Sequence, residues 1–406
     1  MEIKAPGFVQ GNVARGGDFW GREDEIKEIL QAVEKGSVLL KAPRRFGKSS
    51  IMNYINENPP ESFIKSIYIY AEKMNKPSDF ISSIMAEMLK DNIIRKKLKS
   101  MAGWLKKLVT TIDEIGIAEF RIALKDNIDT DWQSKGEEMI SYLSELDGNV
   151  LIFVDELPLF IHRLHKGGDE MQSADFLNWF RYIRQSNNLS HLKWVTAGSI
   201  GIEHILKLVK VSTSVINDFK PIIVGPFKDD NARLYIKSLY KNESKGSNIK
   251  DDMVDNIMKT IGTAVPFFIQ ILLKECISEM NIAKKSSLDL EIINHAYKET
   301  VLGTASRTYF DHFFTRLDDY YDAKLVKVAK RLILELARRE SVEKTHLLKI
   351  FRSETKGELL DETFSGLMRD IESDFYCLYN IDNETYTFHT KILKDWWLRY
   401  YDLMES

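Results

Sequence analysis

Short apolar runs alternate with segments of helical spacing through the first 227 residues, and after them the helical spacing continues almost alone. Residues 38–40 (VLL), Phe63–Tyr70 (FIKSIYIY), 150–154 (VLIFV), 194–197 (WVTA) and 221–224 (PIIV) are five runs fit for buried strands. Between them Ile26, Ile29, Leu30 and Val33 share one helical face, and residues 51–55, 79–89 and 175–185 are spaced as helices. Strands alternating with helices predict an α/β fold around a parallel sheet. Residues 91–136 read as a helical insertion and the Gly-rich residues 1–18 as an extended lead-in. The sheet domain is therefore expected over residues 1–227.

Beyond it, helices at 229–240, Asp251–Ile261, 266–280 and 289–300 predict a small helical lid over residues 228–305, with Pro266 in the first turn of its third helix. Residues 303–320 read as a polar, aromatic connection. The last module, residues 320–406, reads as helices at 324–339, 342–351 and 359–372, followed by short strands at 376–379 and 386–389. Three helices and a hairpin make a winged helix.

Composition narrows the class. A chain of 406 residues is too long for one ordinary core, so two or three domains are expected. Its 44% apolar and 29% charged content is that of a globular protein, and a net charge of −3 neither demands nor excludes nucleic acid. Two cysteines, Cys276 and Cys377, cannot build a disulfide framework. No signal-peptide core opens the sequence, and the longest apolar run, residues 264–273, falls short of the roughly 18–20 residues of a membrane span. A cytoplasmic protein with no membrane partner is expected.

The chemistry gathers at the ends of the predicted strands. After the first, Ala42-Pro43-Arg44-Arg45-Phe46-Gly47-Lys48-Ser49 nearly matches G-x-x-x-x-G-K-[ST], with Ala42 in place of the first glycine. In that pattern the backbone N–H groups, continuing through Ser50 into a helix N-terminus, curl around phosphates. Lys48 then reaches the outer phosphates and the Ser49 hydroxyl ligates Mg²⁺. The third strand delivers Asp155 and Glu156, suited to holding the Mg²⁺ shell and polarising an attacking water. Thr196 or Ser199, ending the fourth strand, is placed either to sense the terminal phosphate or simply to close the strand. Phe19-Trp20-Gly21-Arg22-Glu23-Asp24-Glu25 reads either as a lid over the base or as a helix cap. His162 and His165 lack a third ligand, and the basic run Arg95, Lys96, Lys97, Lys99, Lys106 and Lys107 reads as a solvated helix face.

The order F-W-G-R-E-D-E, A-P-R-R-F-G-K-S, V-L-I-F-V-D-E-L-P, V-T-A-G-S, V-G-P-F and T-A-V-P resembles the archaeal-type ATPase family, AAA+-like proteins related to STAND signalling ATPases and origin-recognition ATPases. The resemblance covers nearly the whole chain and implies ATP or ADP with Mg²⁺ as cofactors. It assigns Lys48 and Ser49 to phosphate and metal, Asp155 and Glu156 to metal and water, and Ser199 to the sensor position. It also places Gly21, Arg22 and Pro266 near the base. Thr263 and Ala264 stand where the family usually has paired glycines, and no arginine lies beside Pro266 as a second sensor. Two functions follow: an ATP-hydrolysing switch governing a partner protein, or a DNA-associated ATPase that oligomerises. A module that holds ADP without turnover has no need of Glu156. The acidic third helix of the winged module (Asp361, Glu362, Asp370, Glu372, with Arg369) favours the protein partner over DNA.

Overall fold

The structure, a computed structural model, describes residues 6–9, 11–100, 104–146, 148–167, 170–199, 201–244 and 246–402. Two compact units make up the chain: a sheet unit (Arg22–Lys41, Lys48–Val224) and a helical unit (Met1–Gly21, Ala42–Gly47, Gly225–Ser406).

The sheet unit runs α1 (Glu23–Val33), β1 (Ser37–Lys41), α2 (Lys48–Glu57), β2 (Phe63–Tyr70), α3 (Pro77–Met88), α4 (Asn92–Ser100), α5 (Trp104–Ile128), α6 (Trp132–Ser141), β3 (Asn149–Asp155), α7 (Leu157–Lys166), α8 (Glu170–Gln185), β4 (Leu192–Ala197), α9 (Ile202–Leu208) and β5 (Phe219–Ile223). Every strand pair is parallel, in the order β2-β3-β4-β1-β5. From Val150 to Asp155, β3 is buried on both faces, as its unbroken apolar run requires of a central parallel strand. Beside the sheet Phe80, Phe160, Phe176, Phe180 and Trp194 pack as one aromatic cluster, with Phe80 and Phe160 stacked at 5.9 Å. The buried Arg184 lies over Phe180 and Phe219 and grips Asp218 through two bonds of 2.8 and 2.9 Å. The insertion is α4–α6; the side chains of Lys97, Lys99, Lys106 and Lys107 lie outside the described residues.

In the helical unit, α10 (Asp229–Glu243), α11 (Asp251–Ile261), α12 (Pro266–Ile282) and α13 (Leu290–His295) are followed by a π-helical turn, Ala296–Val301. Next come α14 (Asp311–Tyr320), α15 (Ala323–Arg338), β6 (Val342–Glu343), α16 (Lys344–Glu354), α17 (Asp361–Phe375), β7 (Cys377–Asn380), β8 (Thr385–Phe388) and α18 (Lys391–Tyr401). The elements from α15 to β8 have winged-helix order, with a small antiparallel sheet β6-β8-β7. One hydrophobic core runs through the unit: Phe268 of α12 stacks on Phe310, which stacks on Trp396 of α18.

Three expectations change here. Residues 303–320 are no mere connection but a 3₁₀ turn, Thr304–Tyr309, and α14, whose Phe313 and Leu317 are core residues. Val342 and Glu343 form a strand rather than the start of a helix, because their backbones pair with Tyr386 and Thr385; tertiary pairing outweighs the local spacing. The described part of the lead-in is pinned: Gly7 N–H donates to Asp18 (2.8 Å), and Val9 N–H donates to Gln270 (2.9 Å), whose amide donates to the Tyr235 hydroxyl (2.6 Å).

Candidate functional site

In the sheet unit the candidate residues sit at strand ends and at the start of α2. Lys48, first residue of α2, is 7% exposed, at the positive end of a helix. Ser49 follows; its carbonyl accepts a 2.8 Å bond from the Asn53 amide. Asp155, 2% exposed, ends β3, and its Oδ2 accepts a 2.5 Å bond from the Tyr68 hydroxyl on the neighbouring β2. The same hydroxyl is hydrogen-bonded to Asn53 and Ser49, and burial followed by the Asp155 charge holds its pKa far above the ordinary phenol value. Tyr68 thus ties Ser49 to Asp155.

Glu156 takes left-handed backbone angles (φ 59, ψ 35) as the chain turns from β3 into α7. A non-glycine residue held this way costs on the order of 1–3 kcal/mol and persists only where its surroundings fix it. Here Oε2 accepts from both the backbone N–H (2.8 Å) and the hydroxyl (2.9 Å) of Ser199, beyond the end of β4. Burial, and then the charge of Asp155, raise the Glu156 pKa; the Ser199 bonds and Lys48 pull it back. Asp155, Glu156 and Ser199 are therefore together. Thr196, the other candidate at this strand end, is fully buried with no hydrogen-bond partner for its hydroxyl.

Residues Ala42–Gly47 belong to the helical unit. Gly47 has φ 96, a backbone region that a side chain would strain, which explains glycine at this position. Arg45 also has positive φ (73) and is held by its guanidinium 4.5 Å over the Phe267 ring and by a 3.0 Å bond to the Gly11 carbonyl. Phe46, 2% exposed, meets Tyr376 at 5.2 Å, and Tyr376 meets His389 at 5.9 Å edge-on. Pro266 starts α12, and Gly21 (φ 63) packs on Phe227 and Asn231. Thr263, standing where a glycine was expected, donates its hydroxyl to the His389 carbonyl. Arg22, in the sheet unit, caps α1, is buried, and bonds Glu25 at 2.5 Å.

No family model and no curated protein matches the chain. Among solved structures, the Walker-type ATPase PABY2304 of Pyrococcus abyssi aligns over 96% of this chain and 99% of its own, at 14% identity and a TM-score of 0.65. The Aeropyrum pernix ORC2 protein, as its ADPNP-ADP complexes, aligns over 94% of each chain at 10% identity and a TM-score of 0.51. The fold is that of an AAA+-like P-loop ATPase. The donors at these strand ends are of the kinds that a nucleotide and a divalent metal require. Ser49 and Asp155 offer the oxygen ligands that Mg²⁺ prefers, and Lys48 offers the buried cation that a phosphate chain needs.

Tyr68 was not foreseen from the sequence. A strand pattern shows which residues share a face, but it does not tell which neighbour on the adjoining strand a side chain meets.

Proposed function

We propose that the protein binds ATP with Mg²⁺ and hydrolyses it, acting as a nucleotide-driven conformational switch on a partner protein. The observation that carries the reading is Glu156: a carboxylate in strained backbone, beside Asp155, aimed at Ser199 across adjacent strand ends. In this reading the loop from Ala42 through Pro43, Arg44, Arg45, Phe46 and Gly47 to Ser50 cradles the phosphates with its backbone N–H groups. Lys48 neutralises their charge. Ser49 and Asp155 hold the metal, with Tyr68 orienting the Asp155 carboxylate. A Mg²⁺ held by Ser49 and Asp155 would supply positive charge against the negative charge that develops on the phosphates. Glu156 orients the attacking water and Ser199 positions Glu156. Gly21, Arg22 and Pro266 lie toward the base.

The winged helix supports a protein partner. Its α17 carries Asp361, Glu362, Asp370 and Glu372, and Arg352 is already engaged by Asp361. Duplex DNA would meet like charge along that helix.

The test is phosphate release from ATP by the purified chain, with Glu156→Gln as control and duplex DNA titrated in. Slow turnover that the variant loses and DNA leaves unchanged supports the switch. Turnover that climbs with DNA would favour the DNA-associated ATPase instead. Release that is equal in the variant would sink the role of Glu156.

A further inference from the structure

A second concave site lies wholly within the sheet unit. It is a cleft of about 340 Å³ between the end of β2, the first turns of α3 and the C-terminal half of α5, the long helix of the insertion. Tyr70 ends β2, Lys73 and Met74 follow it, and Arg121, Ile122 and Lys125 face them from α5. The carboxylate of Asp79 in its wall is already engaged. Its Oδ2 accepts the backbone N–H groups of Asn75 and Lys76 at 3.0 Å each, and its Oδ1 pairs with Lys125 at 2.5 Å. The hydroxyls of Ser82 and Ser83 donate back to the Asp79 carbonyl, at 3.1 and 2.7 Å. No ion pair joins Lys73 or Arg121 to another described residue. Arg121 and Lys125, four apart on one helix, share a face, and like charges so placed repel. Cations therefore exceed anions in this cleft. The rest of its lining is apolar: Met74 is buried, while Ile122 (59% exposed) and Tyr70 (47%) stand open. The Tyr70 hydroxyl is bonded to Glu72, which leaves its ring to the cleft.

We propose that this cleft docks an acidic segment of the partner protein, one in which a glutamate or aspartate stands beside an apolar side chain. The inference rests on the partner-protein reading above and gives that partner its surface. A carboxylate would take the Lys73 ammonium and the Arg121 guanidinium, whose paired N–H groups match two oxygens in parallel. The adjoining apolar group would cover Ile122 and the Tyr70 ring. A phosphate would cover neither, and its second charge would face Asp79. A free small acid fits less well, since small-ligand sites enclose most of their ligand and these walls stand half open. The cleft also shares a strand end with the candidate site. Tyr70 is paired with Asp155 in the sheet, and the Ala71 N–H donates to the Asp155 carbonyl at 2.9 Å. A partner seated on the end of β2 thus bears directly on the neighbour of the candidate metal ligand.

The test is fluorescence anisotropy of a labelled, glutamate-rich peptide carrying a leucine–phenylalanine pair, titrated with the full chain. A counterpart with lysine at every glutamate is the control. Lys73→Ala, Arg121→Ala and Ile122→Ala are compared with the unaltered chain; all three positions are exposed, so each variant should fold, as circular dichroism checks. Expected is binding of the acidic peptide alone, weakened about fivefold or more by each substitution. Equal binding by the three variants, equal binding of the lysine peptide, or no binding overturns the cleft. So does competition by hexanoate as strong as by the unlabelled peptide, which would assign the site to a free small acid. Phosphate release from ATP alone is recorded beside each titration. A cleft that fails while turnover persists leaves the ATPase reading intact; peptide binding without turnover removes that reading and not the cleft.

Discussion

The hydroxyl of Tyr68 and the carboxylate of Glu156 lie at the candidate site of the sheet unit, and each can be tested alone. Tyr68→Phe keeps the ring and removes the bond to Asp155. Bonds to charged groups contribute about 1.5–3 kcal/mol, so the variant should unfold at lower urea by an amount in that range. It should also need more Mg²⁺ for nucleotide binding, which a titration at fixed nucleotide reads directly. For Glu156 the raised pKa means that the folded chain favours the protonated form. That preference stabilises the fold fully below the ordinary value of 4.5 and is lost as pH rises through the raised value. At neutral pH the charged, buried carboxylate is a net burden, and Glu156→Gln should raise the melting temperature. The gain should shrink as the pH falls toward 4; a constant gain across that range would contradict the shift. The position of Asp155 and Glu156 was legible because the apolar run before them marks the end of a buried strand. Tyr68 was not, since its partner sits on another strand 87 residues away.

Among the elements, the turn between α11 and α12 is tightly constrained. Gly262 has φ 75, and a Cβ there would lie 2.7 Å from that of Lys391. Gly262→Ala therefore meets both backbone strain and a clash. It should cost about 1–3 kcal/mol, seen as a lower urea midpoint. β2 and α11 match their expected spans residue for residue, because apolar runs and turn residues agree at both ends. α14 escaped, although Phe310, Phe313, Phe314 and Leu317 recur at helical spacing. Its many polar and aromatic residues masked that signal, which here is what fills the core. β6 could not have been read locally: two residues become a strand only through the β8 backbone.

On the scale of the whole molecule, the phosphate loop shares the fate of residues more than three hundred positions away. Phe46 lies in the helical unit's continuous core, against Tyr376 at the end of α17. Truncating a buried aromatic costs about 3–5 kcal/mol, so Phe46→Ala should lower the stability of that unit by an amount in this range, read by circular dichroism during urea unfolding. A substitution of Tyr376 removes the other half of the same contact, and the two losses should be less than additive in the double variant. In a genetic screen, then, alleles at Tyr376 would fall into the same phenotypic class as alleles of the loop, and compensating changes for one would be recovered at the other.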